Sequence, residues 1–218
     1  MTHFKKLAAA IGLAVLAPLA VQAGGASFDS QPVGQPPPGW QLGDSGRGKS
    51  KWTIERDETA PSKSNVLRQS GSGTYPVALA EGTAITNGFV ETRFKAIAGS
   101  EDRAAGVVWR AKDAGTYYVV RANALEDNIV MYKTLNGDRI TLDVAGRRGG
   151  YGVNAPVPPN VWHTLRVDFA GSRFKVTYNG RPLFEVEDKT LSGPGMVGLW
   201  TKEDSVTAFD DFAYDAAK

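Results

Sequence analysis

Ala104-Ala-Gly-Val-Val-Trp-Arg-Ala-Lys-Asp-Ala-Gly-Thr-Tyr-Tyr-Val-Val-Arg-Ala-Asn-Ala124 reads as two strands closing on a turn at Lys112-Asp113-Ala114-Gly115. Successive side chains leave opposite faces of a strand, so the alternation assigns each residue to a side. With Arg110 opposite Tyr117, Val108 faces Val119 and Gly106 faces Arg121. One face then carries Gly106, Val108, Arg110, Tyr117, Val119, Arg121 and Asn123. The other carries Val107, Trp109, Ala111, Tyr118, Val120 and Ala122, a set suited to a core. A slip of one residue would exchange the two sets.

The same two-residue period recurs on both sides of this hairpin. It is found over 52–56, 65–69 and 88–96 before it, and over 128–135, 139–144, 162–169, 174–179, 182–186, 195–202 and 206–214 after it. Asn136-Gly137 and Asn179-Gly180 are tight-turn pairs. No long stretch has helical periodicity, and no connection is long enough for a crossover helix. About a dozen hairpin-connected strands predict an all-β fold, a two-sheet antiparallel β-sandwich. No internal repeat marks a propeller or β-helix. Residues 24–44, with Pro36-Pro37-Pro38, read as a loop-rich entry, and 146–159, rich in Gly, Pro and Arg, as a long surface loop.

Gly195-Met-Val-Gly-Leu-Trp-Thr-Lys-Glu-Asp-Ser205 supplies a second candidate face, because in an extended chain Trp200, Lys202 and Asp204 point the same way. Together with Arg110, Tyr117, Arg121, Asn123 and Trp200, this predicts a polar sheet wall. Guanidinium, amide and carboxylate groups hold sugar hydroxyls in pairs, and an aromatic ring stacks on the apolar face of a sugar. Asp102, Arg103, Glu126, Asp127 and Lys133 fall in nearby turns or strand ends and rim it. The plainer reading, a solvated face of cross-strand ion pairs, is preferred for Glu91, Arg93 and Lys95.

The N-terminus carries Lys5 and Lys6, then an apolar run over 7–20, then Val21-Gln22-Ala23. This predicts a signal peptide over 1–23 and a single mature domain over 24–218, exported to the periplasm or the extracellular side of a bacterial envelope. The apolar run is too short to span a bilayer, so no membrane span is expected in the mature protein. Loss of Lys5 and Lys6 takes Lys+Arg from 25 to 23, equal to Asp+Glu at 23. A neutral chain does not suit nucleic acid. The sequence has no cysteine, so packing alone must stabilise it.

Without His3, the mature chain has one histidine, His163, in phase with Leu165, Val167 and Phe169 and read as structural. A His-based zinc site and a Ser-His-Asp triad are therefore poorly supplied. No phosphate loop or dinucleotide fingerprint is present. Glu185 and Glu187 alternate, but between a turn and a Gly-Pro loop, as on a solvated edge strand. No cofactor is required. Asp210 and Asp211 could join Asp29 around a structural calcium if the terminal strands pair.

Seven blocks occur in order: Gly106-Val-Val-Trp-Arg110, Tyr117-Tyr-Val-Val-Arg-Ala-Asn-Ala-Leu-Glu126, Tyr132-Lys133, Asn136-Gly137, Trp162-His-Thr-Leu-Arg-Val167, Gly198-Leu-Trp-Thr-Lys-Glu-Asp-Ser-Val-Thr207 and Phe209-Asp-Asp-Phe212. With these blocks the chain resembles the bacterial secreted 3-keto-disaccharide hydrolase-like domain family, over nearly all of the mature sequence. The resemblance implies a concanavalin A-like jelly roll with a concave, saccharide-facing side. It also implies an exported protein that binds or processes a small saccharide or glycoside. If active, it would be a glycoside hydrolase- or lyase-like enzyme acting on a 3-keto-glycoside. Asp204 is then the expected base, with Lys202, Arg110 or Arg121 stabilising the enolate. The alternative is a noncatalytic module that recognises a glycan or a partner.

Overall fold

The computed structural model describes residues 23–217; the signal segment expected over 1–23 lies outside them apart from Ala23. The described residues form strands and no helix: β1 Ala23–Ala26, β2 Trp40–Lys49, β3 Trp52–Arg56, β4 Asn65–Gln69, β5 Ser72–Ala80, β6 Gly88–Ala98, β7 Ala104–Asp113 and β8 Thr116–Asn123, followed by β9 Asn128–Leu135, β10 Asp138–Thr141, β11 Val153–Asn154, β12 Trp162–Ala170, β13 Arg173–Tyr178, β14 Arg181–Glu187, β15 Met196–Trp200 and β16 Val206–Ala216. The first sheet runs β14-β13-β12-β6-β16-β4-β3, with β1 on β16. The second runs β10-β9-β8-β7-β15-β5-β2, with β11 on β9. The architecture is an antiparallel two-sheet jelly-roll sandwich of the concanavalin A-like kind.

Alternation explains how the layers meet. Along β12, His163, Leu165, Val167 and Phe169 are buried while Thr164, Arg166 and Asp168 are partly exposed. Their counterparts from the second sheet are Val107, Trp109, Tyr118, Val120 and Ala122, which share one core cluster with Leu165, Phe169 and Phe174. Trp109 stacks on Tyr118 at 5.4 Å and meets Phe174 edge-on at 5.3 Å. All three rings are among the largest fully buried side chains of the described residues, and burying such rings removes large apolar areas from water. A second apolar cluster lies on the other side of the second sheet: Val77, Leu79, Val108, Tyr117, Val119, Val130, Tyr132 and Trp200, packed against by Tyr75, Ala114 and Met196.

The outer face of the first sheet carries ion pairs, in keeping with the plainer reading. Lys95 pairs with Asp57, Arg93 with Asp211 at 3.4 Å, and Arg166 with Asp168 at 2.5 Å and Glu91 at 3.8 Å. His163 faces the Pro158 carbonyl at 3.0 Å through Nε2 and the Tyr178 hydroxyl at 2.9 Å through Nδ1. It is a buried, hydrogen-bonded residue that ties down the end of the 146–159 loop. Glu185 and Glu187 are exposed on the edge strand β14.

The hairpin register differs from expectation at one point. Gly106 pairs with Arg121, Val108 with Val119 and Trp109 with Tyr118, but the next pair is Asp113 with Thr116. Three residues of β7 therefore oppose one of β8, and Arg110 takes a positive φ of 51°. This bulge redirects side chains. Ala111 leaves the inter-sheet core for the second cluster. Arg110 moves the opposite way, over the core rings Phe169 and Phe174 at 5.8 and 5.5 Å. Gly195 makes room for the bulge, since a Cβ there would stand 2.4 Å from the Arg110 carbonyl carbon.

Candidate functional site

The site is built on the outer face of the second sheet, where β8 and β9 meet in the 124–127 turn. Asn123 Oδ1 accepts the Leu125 amide at 2.9 Å, a side-chain turn that fixes the start of the loop. Asp127 closes it with a positive φ of 47°. Glu126 is thereby held over the sheet. Its carboxylate accepts from Arg121 Nη2 at 2.9 Å, Asn128 Nδ2 at 3.0 Å and Asn123 Nδ2 at 3.1 Å. Arg121 also donates to Asn128 Oδ1 at 2.6 Å, the Tyr132 hydroxyl at 3.2 Å and the Tyr151 hydroxyl at 2.8 Å. Asn123 continues the chain of bonds to Asp102 Oδ1 at 2.7 Å, and Asp102 pairs with Lys202. One connected network thus runs from Lys202 to Tyr151.

Its electrostatics follow from burial and pairing. Arg121 and Asn123 are each 1% exposed, whereas the Glu126 side chain keeps 38% of its surface. Burial alone would lower the Arg121 pKa, but the phenols of Tyr132 and Tyr151 and the Glu126 carboxylate reverse this and raise it. Burial likewise pushes Glu126 up, and the Arg121 hydrogen bond and charge, with Asn128 and Lys202, bring it below the usual carboxylate range. Burial raises the Tyr132 phenol. The recess therefore holds an ionised carboxylate, a paired guanidinium and the protonated Tyr132 phenol. It can give and take hydrogen bonds with neutral hydroxyls in pairs.

The sequence-predicted residues divide into three groups. Arg121, Asn123 and Lys202 come together in the network. Trp200 and Tyr117 lie on the same face but are fully buried. The Trp200 indole donates to the Tyr117 hydroxyl at 3.1 Å and stacks on Tyr75 at 5.7 Å, while Arg139 lies over Tyr132 and Tyr75 at 4.3 and 4.8 Å. Arg110 and Asp204 are elsewhere. Arg110 donates to the carbonyls of Thr86 at 3.0 Å, Leu191 at 2.8 Å and Gly171 at 2.7 Å, clamping three loops at one end of the sandwich. Its pKa is lowered by burial.

Asp204 misses the wall because β15 ends at Trp200. The chain then turns, with Glu203 at φ 46° and the Ser205 amide on the Lys202 carbonyl at 3.0 Å, so the two-residue alternation stops. The Asp204 carboxylate accepts from the Ser100 amide and hydroxyl and from the Glu101 and Asp102 amides at 2.7–3.0 Å. Burial opposes ionisation, but these bonds hold its pKa down at about 2.

The proposed calcium ligands do not converge. Asp29 accepts the Ser64 and Asn65 amides at 3.1 Å, Asp210 accepts from the Ser62 amide and hydroxyl at 2.9 Å, and Asp211 turns to Arg93. Among the described residues, no group of three or more His, Cys, Asp or Glu could hold a metal ion. The donor set does not fit calcium.

Tyr132, Asn128, Arg139 and Tyr151 were not singled out from sequence as site residues. Asn128 and Tyr132 follow from extending the Arg121 face one strand further, since Arg121 pairs with Val130 and Asn123 with Asn128. For Tyr151 the signal was a lone aromatic in a Gly- and Arg-rich loop.

Comparisons with known proteins agree with this fold. The carbohydrate-binding module CBM66 from Bacillus subtilis superposes with a TM-score of 0.63 at 18% identity, over 80% of this chain and 93% of that one. The cellulose-induced protein Cip1 gives 0.57 at 16% identity, over 88% and 97%. The Bacillus licheniformis beta-glucanase gives 0.56 at 11%, over 90% and 98%. No curated protein sequence matches the chain. The profile of the 3-keto-alpha-glucoside-1,2-lyase-like domain matches residues 34–213. The chain belongs to that domain family.

Proposed function

We propose that this is an exported saccharide-binding protein whose ligand, a small neutral α-glucoside, docks at the Arg121–Asn123–Glu126–Asn128 recess. The observation that carries the reading is the network itself: planar groups converge on one rim of a sheet whose relatives in fold include a carbohydrate-binding module and a glucanase. Export rests on the charged-then-apolar N-terminus. No helix among the described residues is long and apolar enough to cross a membrane.

The family's description supports a second reading, cleavage of a 3-keto-α-glucoside across C1 and C2. The C3 ketone acidifies the C2 proton. In this reading Glu126 takes that proton, the electron pair forms an enolate facing Arg121 and Lys202, and collapse to a C1–C2 double bond expels the C1 oxygen, which is reprotonated by water. Glu126 replaces Asp204 as base, because the Asp204 carboxylate is taken up by four donors from residues 100–102, whereas Glu126 stands beside Arg121 in the recess. Calorimetric titration of the mature protein with trehalose and its 3-keto derivative, beside an assay for released glucose, tests both. Binding without turnover supports the recognition module. Turnover lost in Glu126→Gln and kept in Asp204→Asn supports the lyase. No binding of either sugar contradicts both.

A further inference from the structure

Tyr151 is the residue of the network with no place in the wall itself. It comes from the 146–159 loop, and it is 46% exposed although its hydroxyl sits in the recess, 2.8 Å from Arg121 Nη2 and 2.6 Å from the Tyr132 hydroxyl. A guanidinium Nη carries two hydrogens. Arg121 Nη2 faces three oxygens: Glu126, Tyr132 and Tyr151. Removing the Tyr151 oxygen therefore leaves both hydrogens with partners. Tyr132, donating to Tyr151, has the same need for an acceptor that any hydroxyl could meet.

The loop is made to part there. Ala145 is fixed by its amide on the Glu185 carbonyl at 2.8 Å, and Val153 by pairing with Ile129. Between them Gly146, Gly149, Gly150 and Gly152 all take positive φ, a conformation that costs glycine little. Clefts of 620 and 680 Å³ flank the segment, one lined by residues 147–154 and the other by 143–148 and Glu187. Residues 145–151 are thus exposed, held to the recess through the Tyr151 side chain, while Gly152 is buried against the Ile129 and Val130 backbone of β9 and marks where the segment joins the body.

We propose that Tyr151 is a plug: its phenol fills the hydroxyl subsite of the Arg121 recess, and a ligand enters by replacing that phenol with a neutral hydroxyl while residues 146–151 swing away. This deepens the saccharide reading and rests on it for the identity of the ligand. It also sets specificity. Glu126 already occupies Arg121, so a ligand carboxylate at the same nitrogen would meet a like charge, whereas a hydroxyl reproduces what Tyr151 does.

The test compares wild type with Tyr151→Phe, which keeps the ring and loses the oxygen. Limited trypsin digestion reads the loop directly at the exposed Arg147 and Arg148. Loss of one hydrogen-bonded anchor is expected to speed cleavage there about tenfold. Trehalose or its 3-keto derivative is expected to bind Tyr151→Phe several-fold more tightly and to speed loop cleavage in wild type. A disaccharide of the same size bearing glucuronic acid should bind neither. Faster loop cleavage in Tyr151→Phe with no neutral sugar bound by either protein overturns the saccharide reading and leaves the latch standing. Sugar binding that is equal in the two proteins, with loop cleavage unchanged by the substitution or the ligand, overturns the plug.

Discussion

Arg110 and Arg121 are both 1% exposed and lie on neighbouring strands, yet they do opposite work. Arg121 has a carboxylate partner and faces a solvent-reachable rim. Arg110 has carbonyl partners from three loops, with the Asn87 side-chain oxygen at 3.5 Å, and sits over two core rings. Arg110→Ala strands those carbonyls and is expected to cost about 3 kcal/mol in urea melts. Saccharide affinity of the protein that remains folded should be unchanged. A loss of affinity at full stability would put Arg110 back in the site. At Asp204 the expected outcome concerns the loop at 100–102, which the carboxylate holds through four hydrogen bonds. Asp204→Asn should quicken amide exchange at Ser100, Glu101 and Asp102; unchanged exchange there would remove the stapling role.

At the scale of elements, the β7 bulge decides which residues reach the site. It needs Gly195, the residue just before β15, where a Cβ would lie 2.4 Å from the Arg110 carbonyl carbon and 2.7 Å from the Ala111 oxygen, both backbone atoms that cannot step aside. Gly195→Ala is accordingly expected to destabilise the fold by about 1–3 kcal/mol in thermal melts; a neutral effect would mean that β7 and β15 pair differently. The bulge also marks where sequence reading stopped working. Alternation placed Val107 to Trp109 against Tyr118 to Val120 correctly, because hydrophobic period alone determines that register. It placed Arg110 and Asp204 on the wall because period two assumes a strand that continues, and both lie where the strand bulges or ends. β2 and β5 escaped notice for local reasons. Trp40–Lys49 contains Gly43, Gly46 and Gly48 among polar residues, and Ser72–Ala80 contains Pro76, which ordinarily argues against a central strand. Pro76 is tolerated here because pairing of β5 with β15 ends at Val77 and Pro76 offers its carbonyl to the Thr201 amide at 2.9 Å. The Tyr151 contact joins a loop to a strand 30 residues away, which no local pattern encodes.

For the molecule as a whole, stability must come from packing and from carboxylates held ionised, since there is no cysteine. Asp188 and Asp204 have folded pKa values brought down, against the opposing effect of burial, to about 2 by hydrogen bonds, from 3.8. Groups depressed in this way contribute stability above the unfolded value and lose it as pH falls through the folded one. Asp210, raised by burial, works in the opposite sense. Acid melts should therefore show stability falling mainly between about pH 4 and pH 2, and Asp188→Asn should flatten that fall; an equally steep fall in the variant would contradict the assignment. The central claim is that ligand binds the outer face of the second sheet and not the ion-paired face of the first. Nuclear magnetic resonance of arginine Nε–H and tyrosine ring signals during titration with 3-keto-trehalose tests it most directly. The account predicts shifts at Arg121, Tyr132 and Tyr151, with Arg166 and the Trp162 indole unmoved; shifts confined to Arg166 and Trp162 would contradict it.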